Sequence, residues 1–218
     1  MKTMRSIILI LSILLVSVAT YAQKSSAKSM SILDKASQLF EQSEGVKLSF
    51  TLSPDSPEGG AFEPQQGVAF IKRDKFKLDM PYSTSWFNGT TQWVLLKDAN
   101  EVNISNPTPE ELISISPLGI LNMYKTNYVL KEPVSNSFNG KATTEIEMTP
   151  INRWEDFESL TITLDNKTNN IVMIRFTTRD GSKNKLTISD YNSNNKFTND
   201  IFQFNKSNHP GVEIIDLR

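Results

Sequence analysis

The sequence predicts an α+β fold that is mainly β: one antiparallel sheet, curled or partly closed, with an N-terminal helix and short helices inserted between its strands. Three observations carry this. Short apolar/polar alternations of period two recur along most of the chain. Turn-forming pairs such as Asn88-Gly89 and Asp180-Gly181 separate them. A single early stripe, Ile32, Leu33, Ala36, Leu39 and Phe40, repeats instead at helical spacing.

The N-terminus stands apart from the fold. Lys2 and Arg5 precede an apolar run from Ile7 to Val18, and Thr20-Tyr21-Ala22 supplies small residues before Gln23. Residues 1–22 therefore read as a signal peptide cleaved after Ala22, the run being short for a membrane span. Residues 23–218 then form a single domain, of a size that supports its own core. Basic and acidic residues nearly balance, 23 against 24, so no electrostatic footprint for nucleic acid is expected. Cysteine is absent. That removes disulfides, thiol chemistry, cysteinate metal sites and a lipid-anchoring cysteine at the cleavage point, so the protein is expected to be exported and unanchored.

Gln23 to Ser29 reads as a disordered polar segment. The helix is expected to start at Ser31, with Asp34 completing a near capping box and Gly45 as the stop. Val46, Leu48, Phe50 and Leu52 then alternate with polar residues as a half-buried strand, and Pro54–Gln66 reads as a loop. Val68–Lys72 and Phe76–Met80 are further strands. Ser85–Phe87 and Thr91–Leu96 flank Asn88-Gly89, which suits a type I′ turn. Glu101–Ser105 follows. Asn106 to Tyr124 breaks the pattern with Pro107, Pro109 and Pro117 among many apolar residues, which suggests two short helices hinged at Pro117. Strands resume at Tyr128–Lys131, Thr144–Thr149, Leu160–Asp165, Ile171–Thr178, Lys185–Asp190, Phe202–Phe204 and Val212–Asp216.

Signals for catalysis are poor. His209 is the only histidine and reads as a solvent-facing loop residue. With no cysteine, neither the usual zinc sets nor a nucleophile–histidine pair can be assembled. No cofactor is implied. Glu145 and Glu147 share a strand face, as the wet side of a strand would. Two features stand out: the apolar segment 106–123, readable as a helix pair covering a core, and the basic pair Lys72-Arg73, readable as a device against edge-to-edge sheet pairing.

The order of these parts resembles the LolA family of periplasmic lipoprotein carriers. Gly67-Val68-Ala69-Phe70-Ile71-Lys72-Arg73 with Phe76 resembles the family's Gly-to-Lys-Arg strand. Trp86-Phe87-Asn88-Gly89 through Trp93 resembles its hairpin, residues 106–123 take the place of its lid, and Phe202-Gln203-Phe204 with Pro210 to Asp216 resembles its close. The resemblance implies an unclosed half barrel whose helices cover an apolar cavity for acyl chains, and no enzymatic activity. It implies Arg73 as the residue that gates the lid, although Asp74 replaces the family's proline. Large apolar strand residues then become lining candidates: Leu48, Phe50, Phe70, Phe76, Leu78, Trp86 and Trp93. Leu112, Ile113, Ile115, Leu118 and Leu121 become lid candidates. The implied partners are acylated outer-membrane lipoproteins, an inner-membrane ABC-type lipoprotein-releasing complex and an outer-membrane acceptor, with the carrier itself a monomer. The alternative on the same half barrel is a periplasmic lipid-binding or envelope-sensing module.

Overall fold

The described residues form two fully described α-helices, helical residues at Glu111–Leu112, thirteen strands and two 3₁₀ turns. The computed structural model describes residues 24–55, 63–108, 111–112, 116, 119–152 and 157–218. The signal segment and Ile113, Ile115, Pro117 and Leu118 of the expected lid lie outside the described residues. Helix α1 (Ala27–Gln42) is followed by β1 (Val46–Pro54), β2 (Gln65–Lys72), β3 (Lys75–Asp79), β4 (Ser83–Phe87), β5 (Gln92–Leu96) and β6 (Glu101–Ser105). Helix α2 (Ile120–Asn127) runs directly into β7 (Tyr128–Leu130). Strands β8 (Val134–Phe138), β9 (Lys141–Pro150), β10 (Phe157–Asp165), β11 (Ile171–Thr178), β12 (Lys183–Asn192) and β13 (Glu213–Asp216) complete the chain.

The strands form one open sheet in the order β13-β6-β5-β4-β3-β2-β1-β12-β11-β10-β9-β7, with β8 also on β9. Neighbours are antiparallel except at one edge, where β13 runs parallel to β6. The expected all-antiparallel sheet is corrected there. The chain leaves β12 and crosses the sheet before reaching β6, and a long crossover can deliver a parallel strand where a hairpin cannot.

Helix α1 starts earlier than expected. The Ser26 hydroxyl, not that of Ser31, accepts the Ser29 amide at 3.2 Å and caps the helix. Residues 25–29 are ordered because they pair with the edge of β7: the Ser26 amide donates to Leu130 O and the Ser29 hydroxyl to Lys131 O. The buried stripe is Ser29, Leu33, Ala36, Ser37 and Phe40. Leu39, expected on that stripe, is 42% exposed. The helix ends at Ser43, whose hydroxyl donates to Phe40 O at 2.6 Å.

Cross-strand register shows which side chains share a face. One row on the helix-covered, inner face is Leu48, Ala69, Leu78 and Ser85; another is Leu52, Leu186, Ile174, Ile162 and Ile146. Ile71, Phe76 and Phe87 form a third, with Phe76 and Phe87 stacked at 5.5 Å. Leu33, Ala36 and Phe40 of α1 and Ile120, Leu121 and Tyr124 of α2 close over them as one core. The opposite, outer face carries the row Lys47, Phe70, Lys77, Trp86, Trp93 and Ile104.

A strap formed by residues 193–212 covers part of that outer row. Phe197 meets Phe70 edge-on at 5.7 Å, Phe202 meets Phe197 at 6.1 Å, and Phe204 meets Trp86 at 5.6 Å. Lys72 Nζ donates to Phe197 O at 2.6 Å, so the first half of the basic pair fastens the strap. Two expectations change here. Phe202 closes a 3₁₀ turn (Asn199–Phe202) in place of a strand, and His209 is half-buried, stacked on Phe204 at 5.1 Å instead of facing solvent. Asn88-Gly89 also departs from type I′, which needs two residues at positive φ. Only Gly89 has it, at 101°. The connection is a longer loop in which the Asn88 side chain accepts from the amides of Thr90 and Thr91.

Two positions give direct tests of this packing. A Cβ on Gly67 would run into the ring of Phe50 and the sulfur of Met80. Phe50 is buried and cannot swing away. Gly67→Ala is expected to cost about 1–3 kcal/mol by overpacking, measured by urea denaturation. The second is Asp165, buried in the β10–β11 turn, where it accepts from the amides of Lys167 and Thr168 at 2.8 and 3.0 Å. The Thr168 amide first, and then that of Lys167, outweigh burial and hold its carboxyl below the usual value of 3.8. A lowered folded-state value means the contribution is present above the unfolded value and lost as pH falls through the folded one. Asp165→Ala should therefore cost about 1–3 kcal/mol at neutral pH, a deficit that shrinks as unfolding is repeated in progressively stronger acid.

Candidate functional site: the helix-covered face of the sheet

The inner face is the largest apolar surface in the described protein. Strands from β7 round to β4 contribute to it, and α1, α2 and the helical Leu112 pack over it. Its wholly buried part includes Leu48, Phe50, Ile71, Phe76, Ile146 and Ile162. At its margin lie half-buried apolar groups: Leu52, Leu78, Met80, Leu112, Phe157 and Phe176. Beyond β3 the inner face becomes mixed, with Ser85, Gln92, Asn103 and Ser105 sharing it with Val94 and the exposed Leu96. On β5 and β6 the buried apolar groups lie on the outer face, where Leu95 and Val102 form a second small core with Trp86 of β4, Val212, Trp93 and Phe204. Apolar weight thus changes sides partway along the sheet.

That change sorts the residues expected at the site. Leu48, Phe50, Phe76 and Leu78 come together on the inner face, joined by Leu121 from α2 and by Leu112. Phe70, Trp86 and Trp93 stand on the outer face, away from it. Lysines flank Phe70 there, Lys47 and Lys77 each lying 5.6 Å from its ring centre. Arg73 is exposed in the two-residue turn between β2 and β3, at a φ of 57°. Its neighbour Asp74 turns toward the β4–β5 loop, its carboxylate lying where a Cβ on Gly89 would point.

Helix α2 is the cover's smaller half. It has no side-chain cap at its N-terminus and passes straight into β7. It buries Ile120, Leu121 and Tyr124. Its polar attachment to α1 is compact. Tyr124 Oη donates to Asp34 Oδ1 at 2.5 Å, Lys125 Nζ approaches the same oxygen at 2.8 Å, and the Ser37 hydroxyl lies 3.3 Å from Leu121 O. The hydrogen bond from Lys125 first, and then that from Tyr124, hold the Asp34 carboxyl below the usual carboxylate range. Burial and then Asp34 push the Tyr124 hydroxyl far upward, so Tyr124 acts as a neutral donor. Ahead of α2, Thr108 and Glu111 form a reciprocal capping box: the Glu111 carboxylate accepts the Thr108 amide at 2.7 Å and the Thr108 hydroxyl accepts the Glu111 amide at 3.3 Å. Thr108-Pro109-Glu110-Glu111 carried that signal in the sequence.

Charged residues elsewhere pair on the wet face. Glu145 meets Arg175 at 2.9 Å and Glu147 meets Lys131 at 2.5 Å, as their shared strand face suggested. Among the described residues no group of three or more His, Asp or Glu side chains could hold a metal. No described helix is long and apolar enough to cross a membrane.

An open sheet with one helix-covered apolar face defines a fold able to shield an apolar ligand. The particular family follows from the sequence: residues 18–181 match outer membrane lipoprotein carrier protein LolA, and the chain belongs to that family. Membership agrees with the export expected from the N-terminus and with the periplasmic localisation that the resemblance implies. No curated protein matches the chain. Among solved structures, an uncharacterized conserved protein from Thermus thermophilus has the same fold, with a TM-score of 0.60 at 9% identity over 86% of this chain and 98% of that one. A LolA superfamily protein from Nitrosomonas europaea gives 0.45 at 12% identity, over 82% and 99%. MucB in the MucA/MucB complex of Pseudomonas aeruginosa gives 0.42 at 10% identity, over 82% and 62%.

Proposed function

We propose that this protein is a periplasmic lipid-binding module that shelters acyl chains between the inner face of its sheet and the helices α1 and α2. The observation that carries the reading is the apolar inner face, covered on one side by a short helix without a side-chain cap at its start. Leu48, Phe50, Phe76 and Leu78 would line the bound chain. Leu112 and Leu121 would move with the cover, together with Ile113, Ile115 and Leu118. Arg73 is proposed as a gate only on the strength of the family resemblance. Cleavage after Ala22 would release the domain 23–218 to work as a monomer, with no nucleic-acid partner.

The energetics explain why such a protein is needed. Burial is worth about 0.8 kcal/mol per CH₂, so a chain of ~16 carbons resists leaving a membrane by about 13 kcal/mol. A soluble intermediary must replace most of that. In the carrier form of the reading, supported by the family description, the ligand is an acylated lipoprotein. It would be loaded by an inner-membrane ABC-type releasing complex and passed to an outer-membrane acceptor. In the sensing form, free lipid or a mislocalised lipoprotein occupies the same face.

Native mass spectrometry of the protein purified from its own cell envelope separates these forms. A co-purifying acylated polypeptide supports the carrier, and free phospholipid or fatty acid supports lipid binding or sensing. If the only bound species carry no acyl chain, the proposal is wrong.

A further inference from the structure

The side-chain contacts that join α2 to α1 centre on Asp34 and Ser37. Tyr124 has its ring in the core, and a phenol buried there without an acceptor would lose a hydrogen bond that water supplied in the open state. Asp34 provides that acceptor at 2.5 Å, and the same oxygen holds Lys125 at 2.8 Å. The two α2 residues are adjacent, one aimed inward and one outward, so a single oxygen on α1 fixes both the depth and the roll of the helix. One turn further along α1, Ser37 shares its hydroxyl proton between Leu121 O and Glu41 Oε1, at 3.3 and 3.2 Å. Arg73, by contrast, is exposed in the β2–β3 turn.

We infer that Asp34 is the positioning residue that holds α2 shut over the apolar face, with Tyr124 and Lys125 as the two prongs it grips. The inference rests on the lipid-binding reading for its purpose but on the α1–α2 geometry for its substance. A hydrogen bond to a charged group contributes modestly once water can replace it. The latch is therefore strong enough to keep α2 down in the empty protein and weak enough to yield when an acyl chain enters. The side chain of Asp34 is itself 46% exposed, so its loss leaves no buried charge and the sheet should remain folded.

The test is hydrogen–deuterium exchange on the mature full-length domain and its Asp34→Ala and Tyr124→Phe variants. Alongside it, uptake of a fluorescent C16 acyl probe from phosphatidylglycerol vesicles is timed. The α2 amides of both variants should exchange about tenfold faster or more, while amides of β10 and β11 keep their wild-type rates and probe uptake accelerates. Tyr124→Phe keeps the ring in the core, so it answers the question even if Asp34→Ala folds poorly. Unchanged α2 exchange, or a uniform rise across the sheet, would overturn the latch. Faster α2 exchange with no probe uptake in any variant would uphold the latch and overturn the lipid-binding reading.

Discussion

A crosslink between α1 and α2 should abolish acyl-chain uptake. The natural chain has no cysteine, so Asp34→Cys and Lys125→Cys introduce the only two thiols. The native side chains at these positions meet at 2.8 Å, within reach of a short reversible bifunctional thiol reagent. Once bridged, α2 cannot leave the inner face, and Ile120, Leu121 and Tyr124 keep the space an acyl chain would occupy. The expected loss is more than tenfold in uptake of the acyl probe; a cost of about 1.4 kcal/mol per factor of ten is small beside the energy of a buried chain. Releasing the crosslink should restore uptake, which excludes damage to the fold. Uptake that persists in the bridged protein would mean that ligand enters by another route.

Phe202→Ala should be the most destabilising single change on the other side of the sheet. Phe202 is fully buried although it lies in the strap, and it meets Phe197, which in turn lies against Phe70. Few regular backbone hydrogen bonds hold the strap, so its aromatic anchors carry most of its attachment. Removing a wholly buried phenylalanine costs about 3–5 kcal/mol. The loss should appear as a lower urea midpoint and as new protease cleavage within residues 193–212. The strap lies beyond the family segment, which ends at residue 181, and its anchors face away from the inner surface. Acyl-probe affinity at temperatures where the variant stays folded should therefore remain near wild type.

The contrast between the two faces also explains what the sequence could and could not convey. Val46 to Leu52 alternates cleanly because only one side of β1 is apolar there, and its orientation was legible. In β2 and β4 both sides carry apolar groups: Ala69 and Ile71 point in while Phe70 points out, and Trp86 and Phe87 divide in the same way. Alternation marks such a stretch as a strand but cannot say which residues face the helices. Phe202-Gln203-Phe204 mimics a strand because its two rings are spaced by one residue, yet one anchors a 3₁₀ turn and the other an extended strap. The helix is expected from the sequence to start at Ser31, and tertiary pairing with β7 selects Ser26 instead. The Asp34–Tyr124 contact joins residues 90 apart in the chain, which no local pattern encodes. The capping box at Thr108–Glu111 is, in contrast, a local Thr-x-x-Glu pattern, missed because the prolines around it read as a break.

Methyl NMR of isoleucine-labelled protein, titrated with a synthetic acylated lipopeptide, tests the central claim most directly. Ile71, Ile146 and Ile162 are buried on the inner face, whereas Ile104 lies in the outer-face row beside Trp93. Shelter of acyl chains beneath α1 and α2 predicts large shifts for the three inner methyl groups and little change at Ile104. Shifts confined to Ile104, or a saturating interaction that leaves Ile71, Ile146 and Ile162 unmoved, would contradict it.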